Sequence, residues 1–180
     1  MSELKDGLNS INLTNYIDEI PNFPKDGILF KDICPLLRSP EAWTFVIQQL
    51  GFFCEELQPD YIAGIESRGF IVGSSLSTSE KIPFVPIRKG GKLPGKVIGV
   101  DYTLEYGQDK LEVQSNIFKG SKVLLVDDLL ATGGTVKASS SLIERSGGNL
   151  VGCGFIIELS FLNGRQNIPN VPIKSLINYD

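Results

Sequence analysis

The chain has 180 residues, of which 42% are apolar and 21% are charged, and its formal net charge at pH 7 is −4. This length allows about one globular domain with a proper core, and the acidic balance gives no support to nucleic-acid binding. No apolar run approaches the roughly 20 residues that span a bilayer. We therefore predict neither a nucleic-acid partner nor a membrane partner.

Histidine is absent from the sequence. Its absence excludes Ser-His-Asp and Cys-His catalysis and removes the commonest transition-metal ligand. Cys34, Cys54 and Cys153 are odd in number and widely spaced, which favours free thiols in a reducing compartment. The first ten residues are polar and include acids, unlike a secretory signal. Together these features predict a cytoplasmic protein.

Predicted strands and helices alternate along the chain. In order, we predict a helix over residues 11–20, a helix from Pro40 through Leu50, a strand over Tyr61–Ile65, a helix from Phe70, a strand over Phe84–Ile87, a hairpin around residues 97–115, a strand over Val123–Val126, a helix over Val136–Arg145, and strands over Leu150–Glu158 and residues 173–177. This order predicts an α/β fold with a mostly parallel sheet and helices on both faces. No repeat or linker interrupts it, so we expect a single domain over residues 1–180.

The segment Lys122–Thr135 has the sequence KVLLVDDLLATGGT and is the most informative in the chain. Two acids, Asp127 and Asp128, follow an apolar run typical of a buried parallel strand. The small residues and threonines after them let the backbone approach an anion, and a helix amino end follows. This pattern suits a sugar phosphate. The alternative is an ordinary strand, turn and helix in which Asp128 caps the helix.

The same segment resembles the phosphoribosyl-pyrophosphate loop of type I phosphoribosyltransferases. It matches neither the Walker pattern nor the Gly-x-Gly-x-x-Gly dinucleotide turn. Four further blocks occur in family order and resemble adenine phosphoribosyltransferases: Asn22–Ile33, Gly64–Phe70, Phe84–Gly95 and Tyr102–Gly107. The resemblance implies the type I phosphoribosyltransferase fold, with a base-binding hood over about residues 1–35 and a mobile catalytic loop.

The resemblance implies that the two acids bind the ribose 2′- and 3′-hydroxyls. It also implies that the 5′-phosphate is held by Ala131, Thr132, Gly133, Gly134 and Thr135. Carboxylates suit the first role because they are strong acceptors and stabilise positive charge on a sugar.

The resemblance assigns the pyrophosphate to two basic segments. The residues implied are Glu66, Ser67, Arg68, Arg88, Lys89 and Lys92, some of them reaching across a homodimer interface. A non-proline cis peptide is implied between Glu66 and Ser67. Without the resemblance, Arg68 could equally be a surface charge, and the loop with Arg88, Lys89 and Lys92 would be a solvated connector.

Glu105 matches the family's acid–base position, where a carboxylate would accept the N9 proton of adenine. Tyr106 would shield the closed loop. Alternatively, Glu105 is an exposed loop acid.

For the base, Phe30 would stack on adenine while the backbone of Leu29 and Lys31 reads its edge, unless Phe30 is a core aromatic. Lys31 departs from the arginine common at this position, which matters only if the side chain touches the base.

The resemblance implies that the substrates are adenine and 5-phosphoribosyl 1-pyrophosphate, and that the products are AMP and pyrophosphate in purine salvage. Mg2+ would be required and bound mainly through substrate and water, with no direct protein ligand assigned. Three alternatives stay open: another purine base, a regulator that binds the ligand without turnover, and a scaffold.

Overall fold

The computed structural model describes residues 11–104 and 107–180, and it describes no side chains over residues 103–108. The chain divides into two compact units, one extending to Gln49 and the other comprising Leu50–Asp180. The base-binding hood predicted over about residues 1–35 falls within the first unit. Among the described residues, no helix combines the length and hydropathy that crossing a membrane requires.

The first unit contains a small antiparallel sheet. Its elements are a 3-10 turn over Leu13–Tyr16, β1 over Asp18–Pro21, β2 over Leu29–Asp32, α1 over Cys34–Leu37 and the start of α2, which spans Pro40–Leu57. The prediction of a helix from Pro40 is confirmed. In the β1–β2 pair, Glu19 lies opposite Lys31 and Ile20 lies opposite Phe30.

The prediction of a helix over residues 11–20 is wrong. The Asn12 side chain accepts a hydrogen bond from the Thr14 amide, 3.2 Å away, and caps only the single 3-10 turn. Ile17 is already extended, with φ −114° and ψ 118°. The following residues pair with β2, so tertiary pairing overrides the apolar spacing that suggested a helix.

The second unit is built on one sheet of seven strands in the order β5-β6-β4-β3-β7-β8-β9. The strands are β3 over Tyr61–Ile65, β4 over Phe84–Lys89, β5 over Val97–Leu104, β6 over Gly107–Gln114, β7 over Lys122–Leu130, β8 over Asn149–Leu159 and β9 over Ile173–Tyr179. Strands β4, β3, β7, β8 and β9 run parallel, whereas β6 runs antiparallel to β4 and β5. The prediction of a mostly parallel sheet with an added hairpin is confirmed.

Helices cover both faces of this sheet. Two of them are α3 over Arg68–Glu80 and α4 over Gly134–Arg145. Leu142 and Ile143 of α4 belong to one buried cluster with Ala63 and Leu125 of the sheet. On the other face, Gly73 brings α3 so close to Phe84 and Val126 that an added Cβ would lie 2.5 Å from the Phe84 ring.

Strand β7 is longer than its apolar run predicted. It continues past the two acids because Leu129 and Leu130 still pair with Ile157 and Glu158 of β8. The two acids therefore lie within the paired part of β7, close to its carboxyl end. Strand pairing fixes the direction of each side chain relative to the sheet.

Candidate active site

The predicted anion-binding and sugar-binding residues lie at the carboxyl ends of three neighbouring strands, β4, β3 and β7. Gly64 of β3 pairs with Val126 of β7, and Ile65 of β3 pairs with Ile87 of β4. The residues directly after these pairs are therefore Glu66, Asp127 and Arg88. Because parallel strands end at the same edge, the three predicted segments meet at the carboxyl edge where open α/β sheets bind ligands.

Asp127 and Asp128 are held by short local contacts. The amide of Asp128 donates to Asp127 Oδ1 over 2.9 Å. The Nε of Arg68 lies 2.8 Å from Asp128 Oδ2, and the Asp128 residue is only 4% exposed. The helix-cap alternative for Asp128 is wrong, since the residue before α4 is Gly133 and no side chain caps that helix.

Burial raises the pKa of both carboxyl groups of the acid pair. For Asp127, the neighbouring charge of Asp128 adds to the increase, while Arg68 opposes it. For Asp128, the charge of Arg68 is the largest influence that lowers the pKa. Arg68 thus favours the charged, hydrogen-bond-accepting form of a pair that burial would otherwise neutralise.

The first turn of α3 lies directly against the acid pair, Asp127 and Asp128. A Cβ added to Gly69 would lie 2.9 Å from Asp127 Oδ1 and 2.9 Å from the Val126 carbonyl oxygen, so only glycine fits here. The peptide between Glu66 and Ser67 is cis, as the resemblance implied. The three residues before Gly69 are therefore placed at the edge of the acid pair.

Glu66 contacts the basic segment at the end of β4, which contains Arg88, Lys89 and Lys92. Its carboxylate lies 2.8 Å from Lys92 Nζ and accepts a 2.9 Å hydrogen bond from the Lys89 amide. The Arg88 guanidinium lies 3.4 Å away. Burial alone would raise the pKa of Glu66, but these contacts outweigh it and lower the pKa to about 2. The predicted pyrophosphate cations Arg88 and Lys92 are thus brought together with the β3–α3 loop.

Lys89 has a different partner from its neighbours. Its Nζ lies 3.0 Å from Asp109 Oδ2, which also accepts a 3.4 Å hydrogen bond from the Tyr102 hydroxyl. Asp109 raises the pKa of Lys89, and Lys89 lowers the pKa of Asp109. Asp109 is not among the predicted site residues. It lies within the predicted hairpin, and the observed register pairs it with Tyr102.

The predicted 5′-phosphate loop connects β7 to α4. Gly133 has φ +79°, a left-handed conformation that turns the chain into the helix. Because no side chain caps α4, its first-turn N–H groups are not occupied by a cap. This geometry agrees with the predicted anion cradle over Ala131, Thr132, Gly133, Gly134 and Thr135.

The predicted base-binding residues lie on β2 in the first unit. Leu29 is 47% exposed. The rings of Phe30 and Phe23 meet edge to face with centroids 5.1 Å apart, and Phe30 is only half-buried, which disfavours a core role. Lys31 is buried, and its ammonium pairs with the Glu19 carboxylate across the hairpin. Glu105 and Tyr106 lie outside the described residues.

Oxygen donors for a metal are few in the described part of the chain. Within residues 11–104 and 107–180, His, Cys, Asp and Glu form no group of three or more that could hold a metal ion. The acid pair supplies hard carboxylate oxygens, the ligand type that Mg2+ prefers, at the predicted ribose site. These residues fit an ion bound mainly through substrate and water.

Comparison with known proteins defines the class. Residues 46–168 match the family described as "Phosphoribosyl transferase domain". The matched range contains the acid pair, the β3–α3 loop and the basic segment.

Relatives and solved structures similar to this chain share one activity name. An adenine phosphoribosyltransferase of Prochlorococcus marinus is 60% identical over 171 residues, which cover 94% of this chain and 99% of the relative. The crystal structure of adenine phosphoribosyltransferase from Thermoanaerobacter pseudethanolicus has a TM-score of 0.89 at 44% identity, covering 93% of this chain and 98% of that chain. That of the Saccharomyces cerevisiae enzyme, complexed with D-2,5-dideoxy-2,5-imino-altritol 1,6-bisphosphate and adenine, has a TM-score of 0.87 at 42% identity, covering 91% of this chain and 96% of that chain. The chain belongs to the phosphoribosyltransferase family and, within it, to the adenine phosphoribosyltransferases.

Proposed function

We propose that this protein transfers the 5-phosphoribosyl group of 5-phospho-α-D-ribose 1-diphosphate to N9 of adenine. The products are AMP and diphosphate, and the step salvages purine for AMP synthesis. The observation that carries the proposal is the convergence of the acid pair with two basic loops at the ends of β4, β3 and β7. The names of the relatives support adenine as the base.

The acid pair binds the ribose diol. Asp127 and Asp128 accept hydrogen bonds from the 2′- and 3′-hydroxyls, and their charge stabilises the cationic character that the sugar gains as the C1′–O bond breaks. The Arg68–Asp128 ion pair supports this role because it opposes the rise in the pKa of Asp128 that burial causes, and so favours the charged form.

The diphosphate binds to the β3–α3 loop and to the cations beside it. Arg68, Arg88, Lys89 and Lys92 supply the charge, and the backbone of Ser67 supplies an N–H group. The Glu66 amide already donates to the Ile87 carbonyl oxygen over 3.0 Å, so Glu66 acts through its carboxylate. Before substrate arrives, Glu66 holds Arg88 and Lys92, while Asp109 holds Lys89. These carboxylates orient the cations and reduce the reorganisation that binding requires.

The 5′-phosphate binds to Ala131 through Thr135 at the amino end of α4. Backbone N–H groups and the hydroxyls of Thr132 and Thr135 donate to the phosphate oxygens, and the helix dipole favours the negative charge.

Adenine binds to β2. Phe30 stacks on the purine, and the backbone of Leu29 and Lys31 accepts from the N6 amine and donates to N1, which favours adenine over 6-oxopurines. The Lys31 side chain is occupied by Glu19, which supports reading of the base through the main chain.

In the transfer step, the C1′–O bond breaks with its electron pair leaving on diphosphate, and the N9–C1′ bond forms. The N9 proton passes to the Glu105 carboxylate, and Tyr106 shields the closed loop from water. Mg2+ bound at this site would neutralise part of the diphosphate charge.

We also propose a cytoplasmic homodimer. Cys34, Cys54 and Cys153 are free thiols, which supports a reducing compartment. The dimer rests on the family resemblance, and light scattering after gel filtration tests it directly: the mass of a monomer would contradict it.

The activity is tested by measuring diphosphate release with 5-phosphoribosyl 1-pyrophosphate and Mg2+, offering adenine, hypoxanthine, guanine and xanthine separately. We expect release with adenine alone. Release with a different base would overturn the roles of Leu29, Phe30 and Lys31. No release with any base, from protein that still binds the sugar phosphate, would favour a ligand-binding regulator instead.

A further inference from the structure

The 5′-phosphate loop is supported from behind by a short 3-10 turn, Gly164–Asn167. The Asn167 side-chain amide donates to the Thr132 carbonyl oxygen over 2.8 Å, although the two residues are 35 positions apart in sequence. This contact fixes the orientation of the peptide between Thr132 and Gly133. The Gly133 N–H of this trans peptide points away from Asn167, toward the side where the phosphate would bind.

Backbone packing reinforces the same contact. A Cβ placed on Gly164 would collide with the Ala131 carbonyl oxygen, and a Cβ placed on Gly133 would collide with the Gly164 carbonyl oxygen. The turn and the loop therefore meet main chain to main chain. Neither segment can move without displacing the other, because close-packed atoms transmit displacement.

The turn is itself anchored to the sheet. Arg165 contacts Glu158 of β8 through two parallel contacts, with Nε 2.6 Å from Oε1 and Nη2 2.7 Å from Oε2. The Ser175 hydroxyl of β9 donates to the same carboxylate over 2.6 Å. Glu158 is only 5% exposed, and it pairs in register with Leu130, the last residue of β7 before the loop.

We propose that Asn167 and the Glu158–Arg165 pair are positioning residues for the 5′-phosphate, an inference that rests on the proposed function. They form a buttress, defined as Glu158, Arg165 and Asn167, that holds the Ala131–Gly133 backbone in its phosphate-binding conformation before substrate arrives. Without the buttress, the loop must be ordered at the moment of binding, which weakens affinity for ligands that carry a 5′-phosphate. Diphosphate, which binds elsewhere, is unaffected.

The test uses the reverse reaction, in which AMP and diphosphate are separate substrates. Asn167→Leu removes the amide donor and keeps the branched shape of the side chain. We expect the KM for AMP to rise about three- to tenfold, as for loss of one hydrogen bond, while kcat and the KM for diphosphate change less than about twofold. Glu158→Gln, which weakens the anchor of the turn, should shift the KM for AMP in the same direction.

Gln166→Met is the matched control. Gln166 is exposed in the same turn, and the substitution exchanges an amide for an apolar side chain of similar size. It should leave both KM values and the melting temperature unchanged. The inference is overturned if Asn167→Leu leaves the KM for AMP unchanged, raises both KM values equally, or lowers only the apparent kcat, as loss of folded protein would.

Direct titration of ribose 5-phosphate separates this inference from the proposed function. If the wild-type protein shows no turnover in the activity assays, the proposed function is contradicted, whatever the variants do. In either case, we expect Asn167→Leu to weaken ribose 5-phosphate binding relative to Gln166→Met, and equal dissociation constants would overturn the buttress.

Discussion

The two proposed anion-binding regions of the second unit are organised by different physical means. Around the β3–α3 loop, charged side chains are held by opposite charges: Arg68 by Asp128, Lys92 by Glu66 and Lys89 by Asp109. Around the β7–α4 loop, the direct contacts to the loop are backbone packing and one side-chain amide from Asn167, and the Glu158–Arg165 ion pair acts only on the turn behind them.

The difference matches the proposed fates of the two phosphates. Diphosphate must bind and then leave. Its release is favoured because the cations that bind it can pair again with their own carboxylates. The 5′-phosphate is carried unchanged from substrate to AMP, so a rigid cradle of N–H groups serves both states. One site therefore uses charged side chains for the phosphate group that leaves and a preorganised backbone for the phosphate group that stays.

The largest effect on the charged region should come from Arg68→Met. This change leaves the buried Asp128 carboxylate without its 2.8 Å ion pair and removes a diphosphate ligand. We expect kcat/KM to fall roughly tenfold to hundredfold, as for loss of one partner of a close ion pair with a buried carboxylate. The free energy of unfolding should fall by about 2 kcal/mol, below the value for a fully buried pair because Arg68 is partly exposed.

Steady-state kinetics and urea unfolding check both parts of this expectation. The exposed Lys119→Met is a control that removes one positive charge elsewhere on the surface. If Arg68→Met has the same small effects as this control, Arg68 is only a surface charge. The proposed role of Arg68 in the charged region would then be contradicted.

A smaller effect should follow from Glu66→Gln. The neutral amide no longer holds Arg88 and Lys92 by charge, so the KM for diphosphate in the reverse reaction should rise about threefold to tenfold. The KM for AMP should stay within about twofold of wild type. A change in the KM for AMP of the same size would contradict the separation of the two anion regions.

Glu66 also predicts a pH dependence of stability. Its pKa in the folded protein is about 2, below its ordinary value of 4.5. A depressed pKa contributes stability that is full above pH 4.5 and is lost as the pH falls toward 2. Unfolding measured across this window should show a shallower loss of stability for Glu66→Gln than for wild type, and parallel curves would contradict the assignment.

The smallest effect should come from Lys31→Arg in the first unit. Since the Lys31 ammonium pairs with Glu19, and an arginine can make the same pair, the KM for adenine should change less than about twofold. A tenfold decrease would mean that a guanidinium at this position contacts the base directly, and that the lysine is a weakened ligand.

The sequence was most predictive where the signal is local. The β7–α4 segment combines an apolar strand, two acids and a glycine turn within fourteen consecutive residues, so its elements and their order could be predicted. The helix predicted over residues 11–20 failed because pairing of Glu19 and Ile20 with β2 is a tertiary contact that spacing does not reveal.

Long-range partners could not be predicted for the same reason. Glu66 with Lys92, and Asn167 with Thr132, are joined only after the parallel strands are set in register. The sequence identified Glu66 and Lys92 as members of one site, but the carboxylate's role in holding the cations emerges only from the distances between them. Asn167 offered no signal, since an asparagine in a polar segment is typical of an ordinary turn.

The central claim is that the acid pair is the sugar-binding centre of a phosphoribosyl transfer site, and the most direct measurement is the rate of AMP formation by the double variant Asp127→Asn, Asp128→Asn. Both amides are nearly isosteric with the acids and keep the β7 backbone intact. We expect the rate to fall at least about a hundredfold while circular dichroism remains that of wild type. A folded double variant that forms AMP at the wild-type rate would contradict the account.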